Sequence, residues 1–357
     1  MQRRILLFAP FFLALAIAAA PTAAQQQAVL PKSLDGPAFW KLIDDLSEPT
    51  GLFPSDNLVS NELWFPSVLD DLVRRVPAGQ VYVGVGPEQN FTYIAATHPR
   101  LAFILDIRRG NLQMQLMYKA LFELSDSRAA FVSRLFGRNV ARPGADATAG
   151  QLFDAIAGLD PDRDAAADFA AVERQLTVVD RLPVPRADLA AIQALLSTFR
   201  ERGPEISYST ELFSGMPSYS TLMRRTDGSR ERSYLASEAA FRVVKDLEAR
   251  NLVIPIVGNL AGPKALRAIG DYARAHAATV DVMYVSNVEY YLRIDSSWHA
   301  FCSNVRSLPL AEASTFVRSS DVRRPAAPIG LYSTLGSMQD QTAPCAVADA
   351  LGVRDNQ

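Results

Sequence analysis

Residues 80–111 read QVYVGVGPEQNFTYIAATHPRLAFILDIRRGN, and this stretch decides the fold class. An apolar run ends in Gly84 and Gly86, a helical pattern opens at Pro87, and a second apolar run over 101–105 ends at Asp106. Strand, glycine turn, helix, strand and terminal acid form the opening of a nucleotide-binding α/β unit. Asp106 stands about 20 residues beyond the second glycine, the spacing that brings a carboxylate beside a ribose bound at the turn. Val81, Tyr82, Val83 and Val85 suit a strand buried on both faces, as a parallel sheet requires. Pro87 occupies a first helical position, where a missing N–H costs little, and Phe91, Ile94 and Ala95 give that helix an apolar stripe. Asn111 is placed to cap the next helix, in which Leu112, Leu116, Ala120 and Leu124 recur every four residues.

Outward from this core the same alternation continues. A helix over 238–250 leads into an apolar strand over 252–257 that ends in Gly258 and Asn259, followed by Gly262, Pro263 and a helix over 264–276. A strand over 280–285 ends in Ser286, Asn287, Val288 and Glu289, and a short strand is expected over 314–318. Before the core, helices over 35–48 and after Ser60 read as packing elements with no chemistry of their own. The layout is thus an α/β domain over 28–136 and 205–324, a helical insertion over 137–204 with helices near 151–157 and 188–202, and a loop-like tail over 325–357. Residues 205–237 are long, polar and aromatic without a clear period. Such loops are often functional, so Tyr208, Tyr219, Arg224, Arg225 and Tyr234 are candidates for a pocket wall, against the alternative of a surface loop pairing its own charges.

The glycine-rich or polar turns at 86–90, 106–109, 258–264 and 286–289 all follow apolar strands, which places them together at the carboxyl edge of one sheet. Open α/β sheets bind ligands along that edge, where strand order reverses. A helix N-terminus ordinarily welcomes phosphate. Here Pro87 removes a donor and Glu88 sets a carboxylate where a pyrophosphate would lie, which disfavours NAD and FAD, the alternative being that Glu88 only stabilises the helix terminus and leaves the ligand open. An adenosine compound with a cationic amino-acid end, such as S-adenosylmethionine, fits better, with Asp106 accepting from ribose hydroxyls.

Residues 1–27 have the pattern of an export signal: Arg3 and Arg4, an apolar core over 5–20, and the small residues Thr22, Ala23 and Ala24 before a cut. The mature chain would begin near Gln25, periplasmic or secreted, touching a membrane only through this segment if it stays uncleaved. With 36 basic and 38 acidic residues the formal net charge is −2, and without a basic block nucleic-acid binding has no support. Cys302 and Cys345 are the two cysteines. An oxidising compartment permits a bridge between them, and two separate thiols are the alternative.

The strings VGVGPEQNF, FILDIRR, VGNLAG and VDVMYVSN resemble, in order, motifs one to four of the class I S-adenosylmethionine-dependent methyltransferase fold. With GPEQNFTYIA, DIRRGN, GPKALR and YVSNVEYYL, the chain from about Leu58 to Ser319 resembles an uncharacterised bacterial family of that fold. The resemblance implies a Rossmann-like methyltransferase-type sheet flanked by helices. It also implies a methionine site formed by Gly84, Gly86, Glu88 and Asn90, a ribose contact at Asp106, and Asn259 near the adenine. Ser286 and Asn287 would face the methyl acceptor as the catalytic pair. The sequence departs from the pattern at Tyr82, where the fold usually carries an acid, and at 87–90, which replaces a third glycine.

Two other readings stand beside methyl transfer. An exported scaffold of this kind can serve as a non-catalytic ligand-binding or interaction protein, with Arg108 and Arg109 holding an anion. A hydrolase would need His98, His276 or His299 as its base, His299 being the least explained by structure, and no G-x-S-x-G elbow occurs. No spacing of His, Cys, Asp or Glu argues for a metal site.

Overall fold

A computed structural model describes residues 29–140, 144, 146–208, 215–320 and 331–351, with side chains as far as Cys345. The export-like segment lies outside the described residues. Strands Val81–Val85 (β1), Leu101–Asp106 (β2), Val253–Val257 (β3), Val280–Ser286 (β4), Thr315–Ser320 (β5) and Tyr332–Ser337 (β6) form one sheet. Their order is β3-β2-β1-β4-β5-β6, parallel throughout except for the antiparallel β5–β6 pair. This is a mixed α/β sheet of Rossmann-like order, and it reverses direction of growth between β1 and β4, where a crevice opens at the strand carboxyl ends. Every residue of β1, β2 and β3 is buried, which is why these strands read as unbroken apolar runs rather than alternating ones.

The helices are Gly36–Leu46 (α1), Pro66–Arg75 (α2), Gln89–Thr97 (α3), Arg109–Glu123 (α4), Arg128–Phe136 (α5), Ala149–Asp154 (α6), Ala165–Arg174 (α7), Arg186–Arg202 (α8), Tyr219–Met223 (α9), Glu238–Ala249 (α10), Ala265–Ala275 (α11), Val288–Ile294 (α12), Trp298–Arg306 (α13) and Met338–Leu351 (α14). Asp35 accepts from the Ala38 amide at 2.8 Å and starts α1, and Ser237 does the same for α10 through Ala240 at 3.2 Å. These caps satisfy donors that a helix start leaves unpaired.

The helical insertion is docked onto the α/β unit. Phe199 of α8 is fully buried and packs its ring against Tyr118, Phe136 and Tyr219. At the start of α8, Asp188 accepts from Arg109 Nε at 2.8 Å and from Gln113 at 2.7 Å, both on α4. A fully enclosed polar knot lies behind α4, where Lys119 donates to Glu123 at 2.6 Å and to the Glu248 carbonyl at 2.8 Å.

Several boundaries depart from the sequence reading. Pro87 precedes α3 within the turn, because the helix starts only at Gln89 with Glu88 in the cap position. Asn111 does not cap α4 but lies inside its first turn, Arg108 holding the cap position. The second N-terminal helix begins at Pro66, leaving 58–65 as an irregular passage that ends in a turn over 63–65. The tail expected as loop carries β6 and α14, which a disulfide between Cys302 and Cys345 fastens to α13 with Cα atoms 6.1 Å apart.

Candidate functional site

A cavity of about 360 Å³ lies at the carboxyl edge of β1, β2, β3 and β4, within the size range of small-molecule sites. Gly86, Asp106, Asn259, Ser286 and Asn287 line it, so the four turns converge as their position after strands requires. Leu52, Phe53, Tyr208, Tyr291 and Leu292 add apolar and aromatic wall, with Phe53 and Tyr291 edge-to-face at 5.1 Å. Tyr208 is the member of the long polar loop that reaches this wall. Tyr219 and Tyr234 are instead fully buried and share a hydroxyl–hydroxyl hydrogen bond. Arg225 donates to the Leu63 carbonyl at 2.9 Å over the Trp64 ring, and Arg224 pairs with Asp154 at 2.7 Å.

At the glycine turn, Gly86 holds φ +75°, a conformation open to glycine at no steric cost. A side chain there would meet no atom within 4 Å, so the backbone conformation, rather than crowding, demands glycine. Gly84, Glu88 and Asn90 lie behind the lining. A Cβ at Gly84 would overlap Asn90 Oδ1. Asn90 Nδ2 donates to the carbonyls of Val85 at 2.9 Å, Gly86 at 3.2 Å and Pro87 at 2.7 Å. The Asn90 side chain therefore builds the turn from beneath, its Nδ2 spent on backbone and its Oδ1 on the Tyr82 hydroxyl. Glu88 is fully buried and accepts from the Ser60 amide at 3.2 Å. Burial pushes its carboxyl up to about 8, opposed by that amide.

The strand-end acid Asp106 is engaged by its neighbour: Oδ1 accepts from the Arg108 amide at 2.8 Å and Nε at 3.2 Å, and Oδ2 from the guanidinium at 3.1 Å. Oδ1 is thereby filled, and Oδ2 keeps a further acceptor position. Arg109 is committed to Asp188, so neither arginine is presented to an anion as the sequence reading allowed.

The N-terminus of α11 is filled from within the protein. Glu48 accepts from the amides of Asn259 at 3.1 Å, Lys264 at 2.8 Å and Ala265 at 2.7 Å. This carboxylate occupies the position in which a ligand phosphate would be held at a helix start. Asn259 turns its own Oδ1 to the Ala261 amide at 2.9 Å.

The end of β4 carries a feature the sequence did not disclose. Glu62, from the irregular passage before α2, is fully buried. Its Oε1 accepts from the Tyr284 hydroxyl at 2.8 Å and from Ser286 Oγ. Burial pushes its carboxyl above the usual range, against the pull of the hydrogen bonds from Ser286 and Tyr284. Ser286 itself sits at φ +52°, an uncommon backbone state for a non-glycine residue that clusters at functional sites. Glu62 is separated from its partners by 222 and 224 residues, so no local spacing announced it. A lone acid inside a segment flanked by Leu63, Trp64 and Phe65 was the one available signal.

Among the described residues, no lysine, arginine or histidine lines the cavity, whereas Asp106 and Asp295 do. His98 closes the far end of α3 in a left-handed conformation, and His276 stacks on Tyr272 at 4.1 Å. No group of three metal-ligating side chains occurs among the described residues, and no described helix is long and apolar enough to cross a membrane.

A family model described as "Domain of unknown function (DUF7790)" matches residues 53–335, from the cavity wall at Phe53 to β6. No curated protein matches the chain.

Proposed function

For a chain that belongs to the family described as domain of unknown function DUF7790, we propose that the cavity between β1 and β4 binds a small nucleoside-like or amino-acid-like ligand, with methyl transfer from S-adenosylmethionine as the specific activity. The observation that carries this is the cavity's composition: a glycine turn, a strand-end carboxylate and polar residues at the next two strand ends, with carboxylates and no cation in its wall among the described residues. Asp106 is positioned to accept from ribose hydroxyls while Arg108 holds its orientation. Gly86 leaves open space beside the turn, and Asn259 borders the adenine end. Glu48, filling the N-terminus of α11, disfavours phosphate, which argues for a ligand whose charged end is cationic.

S-adenosylmethionine, when bound, supplies an electrophilic methyl group. The chain's part is then alignment: Ser286 and Asn287, at the end of β4, hold the acceptor against it. Such positioning is worth ~7–11 kcal/mol of a barrier. A second reading, ligand binding without chemistry, is favoured by the Cys302–Cys345 bridge, because disulfides belong to oxidising compartments and the usual methyl donor is cytoplasmic.

Calorimetry on the protein with S-adenosylmethionine and S-adenosylhomocysteine tests the first reading. Saturable heat that falls at least tenfold in affinity in Asp106→Ala supports it. Absence of heat with both compounds removes the cofactor assignment, and binding without methylation of any tested amine or hydroxyl acceptor favours the second reading.

A further inference from the structure

The hydroxyls at the end of β4 are not free to turn. Tyr284 and Ser286 both line the cavity, and both direct their hydrogens away from it, to the one oxygen Oε1 of Glu62. A hydroxyl whose hydrogen is committed offers only lone pairs to anything else. Glu62 has no other direction in which to act, being wholly enclosed. Asn287 Oδ1 lies 3.4 Å from Ser286 Oγ, a second acceptor at the same place. The nearest charged wall residues are Asp106 and Asp295, also acceptors. The hydroxyl oxygens of Ser286 and Tyr284, with the carboxylates of Asp106 and Asp295, therefore offer acceptors to a ligand in this cavity, and the two hydroxyls are fixed by a carboxyl group from the segment before α2.

We infer that Glu62 is a positioning residue that fixes Ser286 and Tyr284 as acceptors, so that the cavity selects a ligand bearing an N–H donor, an amine or ammonium, over the matching alcohol or any anion. The inference rests on the reading that this cavity is the ligand site. It adds a chemical class that the nucleoside reading leaves open, and it assigns that selectivity to Glu62. Burial pushing the Glu62 carboxyl upward fits the same picture, since an incoming cation above Ser286 would offset that cost.

The test is calorimetric, on two isosteric pairs: 5′-amino-5′-deoxyadenosine against adenosine, and 4-(2-aminoethyl)phenol against 4-(2-hydroxyethyl)phenol. A charge-assisted hydrogen bond predicts that each amine binds about tenfold or more tighter than its alcohol. Glu62→Leu removes the carboxyl acceptor at similar volume, releasing the two hydroxyl hydrogens toward the cavity, and the preference should shrink to within about threefold. Ser286→Ala keeps the charge of the protein and removes the acceptor, so it should show the same loss even if Glu62→Leu folds poorly. If only the phenol pair discriminates, the nucleoside reading fails and the amine inference stands. Equal binding of amine and alcohol, or no binding by any of the four, overturns it. An amine preference that survives intact in Ser286→Ala comes from the general acidity of the wall and also overturns it.

Discussion

The Tyr82 hydroxyl donates to Asn90 Oδ1 at 2.9 Å within the buried core, and through this bond β1 fixes the side chain that ties its own glycine turn. Tyr82 stands where the methyltransferase pattern carries an acid. Here that position supports the turn instead of facing a ligand. Asn90→Ala takes a donor from three buried carbonyls, of which Gly86 keeps Gln115 Nε2 at 3.1 Å, and leaves Tyr82 without its acceptor. A cost of roughly 3 kcal/mol follows from unpaired buried groups, read as a lower urea midpoint with an unchanged slope. Tyr82→Phe should cost about half as much, and Gly84→Ala should be as harmful as Asn90→Ala because the added methyl overlaps the Asn90 amide.

Glu88 makes stability fall as pH rises. Its folded-state pKa of about 8 lies above the unfolded value of 4.5, so between those limits the native state holds a proton that the unfolded chain has released. Stability is greatest below pH 4.5 and is lost by up to about 1.4 kcal/mol per unit as the pH climbs towards 8. Glu88→Gln keeps an acceptor for the Ser60 amide and cannot ionise. It should match the wild type near pH 4 and exceed it by a few kcal/mol at pH 9 in urea titrations. Comparing the two proteins cancels Asp180, which burial pushes up to about 7. Parallel curves for the two proteins would reject an ionising Glu88.

The bridge between Cys302 and Cys345 closes a loop with a sequence separation of 43. Constraint of the unfolded chain at this loop size is worth about 4 kcal/mol, with ~2–4 kcal/mol usual in practice. Replacing both cysteines by serine should lower the melting temperature accordingly. Amide exchange should rise over α14 and leave β6 protected by its six register pairs with β5.

What could be read from the sequence follows the range of the interactions involved. The first four strands were legible because burial on both faces writes a largely apolar run into each of them, β5 only through the short start of TFVRSS, and their shared carboxyl edge followed from order alone. The β6 segment, YSTLGS, has no such run, because it sits at the sheet edge, and Pro344 inside α14 argued against a helix. Of the site, Gly86, Asp106, Asn259, Ser286 and Asn287 were found because each ends a strand. Glu62 and Glu48 were not, since their partners are more than two hundred residues away. Glu88 was correctly seen as a carboxylate at a helix start, yet the side chain turns inward to Ser60, and Glu48 is the acid that fills a helix N-terminus at the cavity rim.

That role of Glu48 gives a prediction with an unusual sign. The three amides of Asn259, Lys264 and Ala265 converge on one carboxylate, and a helix start with its donors unpaired attracts anions. Glu48→Ala should destabilise the protein by ~1–3 kcal/mol, the cost of leaving partly buried donors without a partner. It should also convert the α11 terminus into an anion site. Sulfate or inorganic phosphate at millimolar concentration should then raise the melting temperature of Glu48→Ala and leave the wild type unchanged at matched ionic strength. Adenosine 5′-monophosphate should bind the variant more tightly than adenosine does, reversing the order expected for the wild type. An equal response of both proteins to sulfate would mean that Glu48 is not what keeps phosphate out, and the case against a phosphorylated ligand would lose its main support.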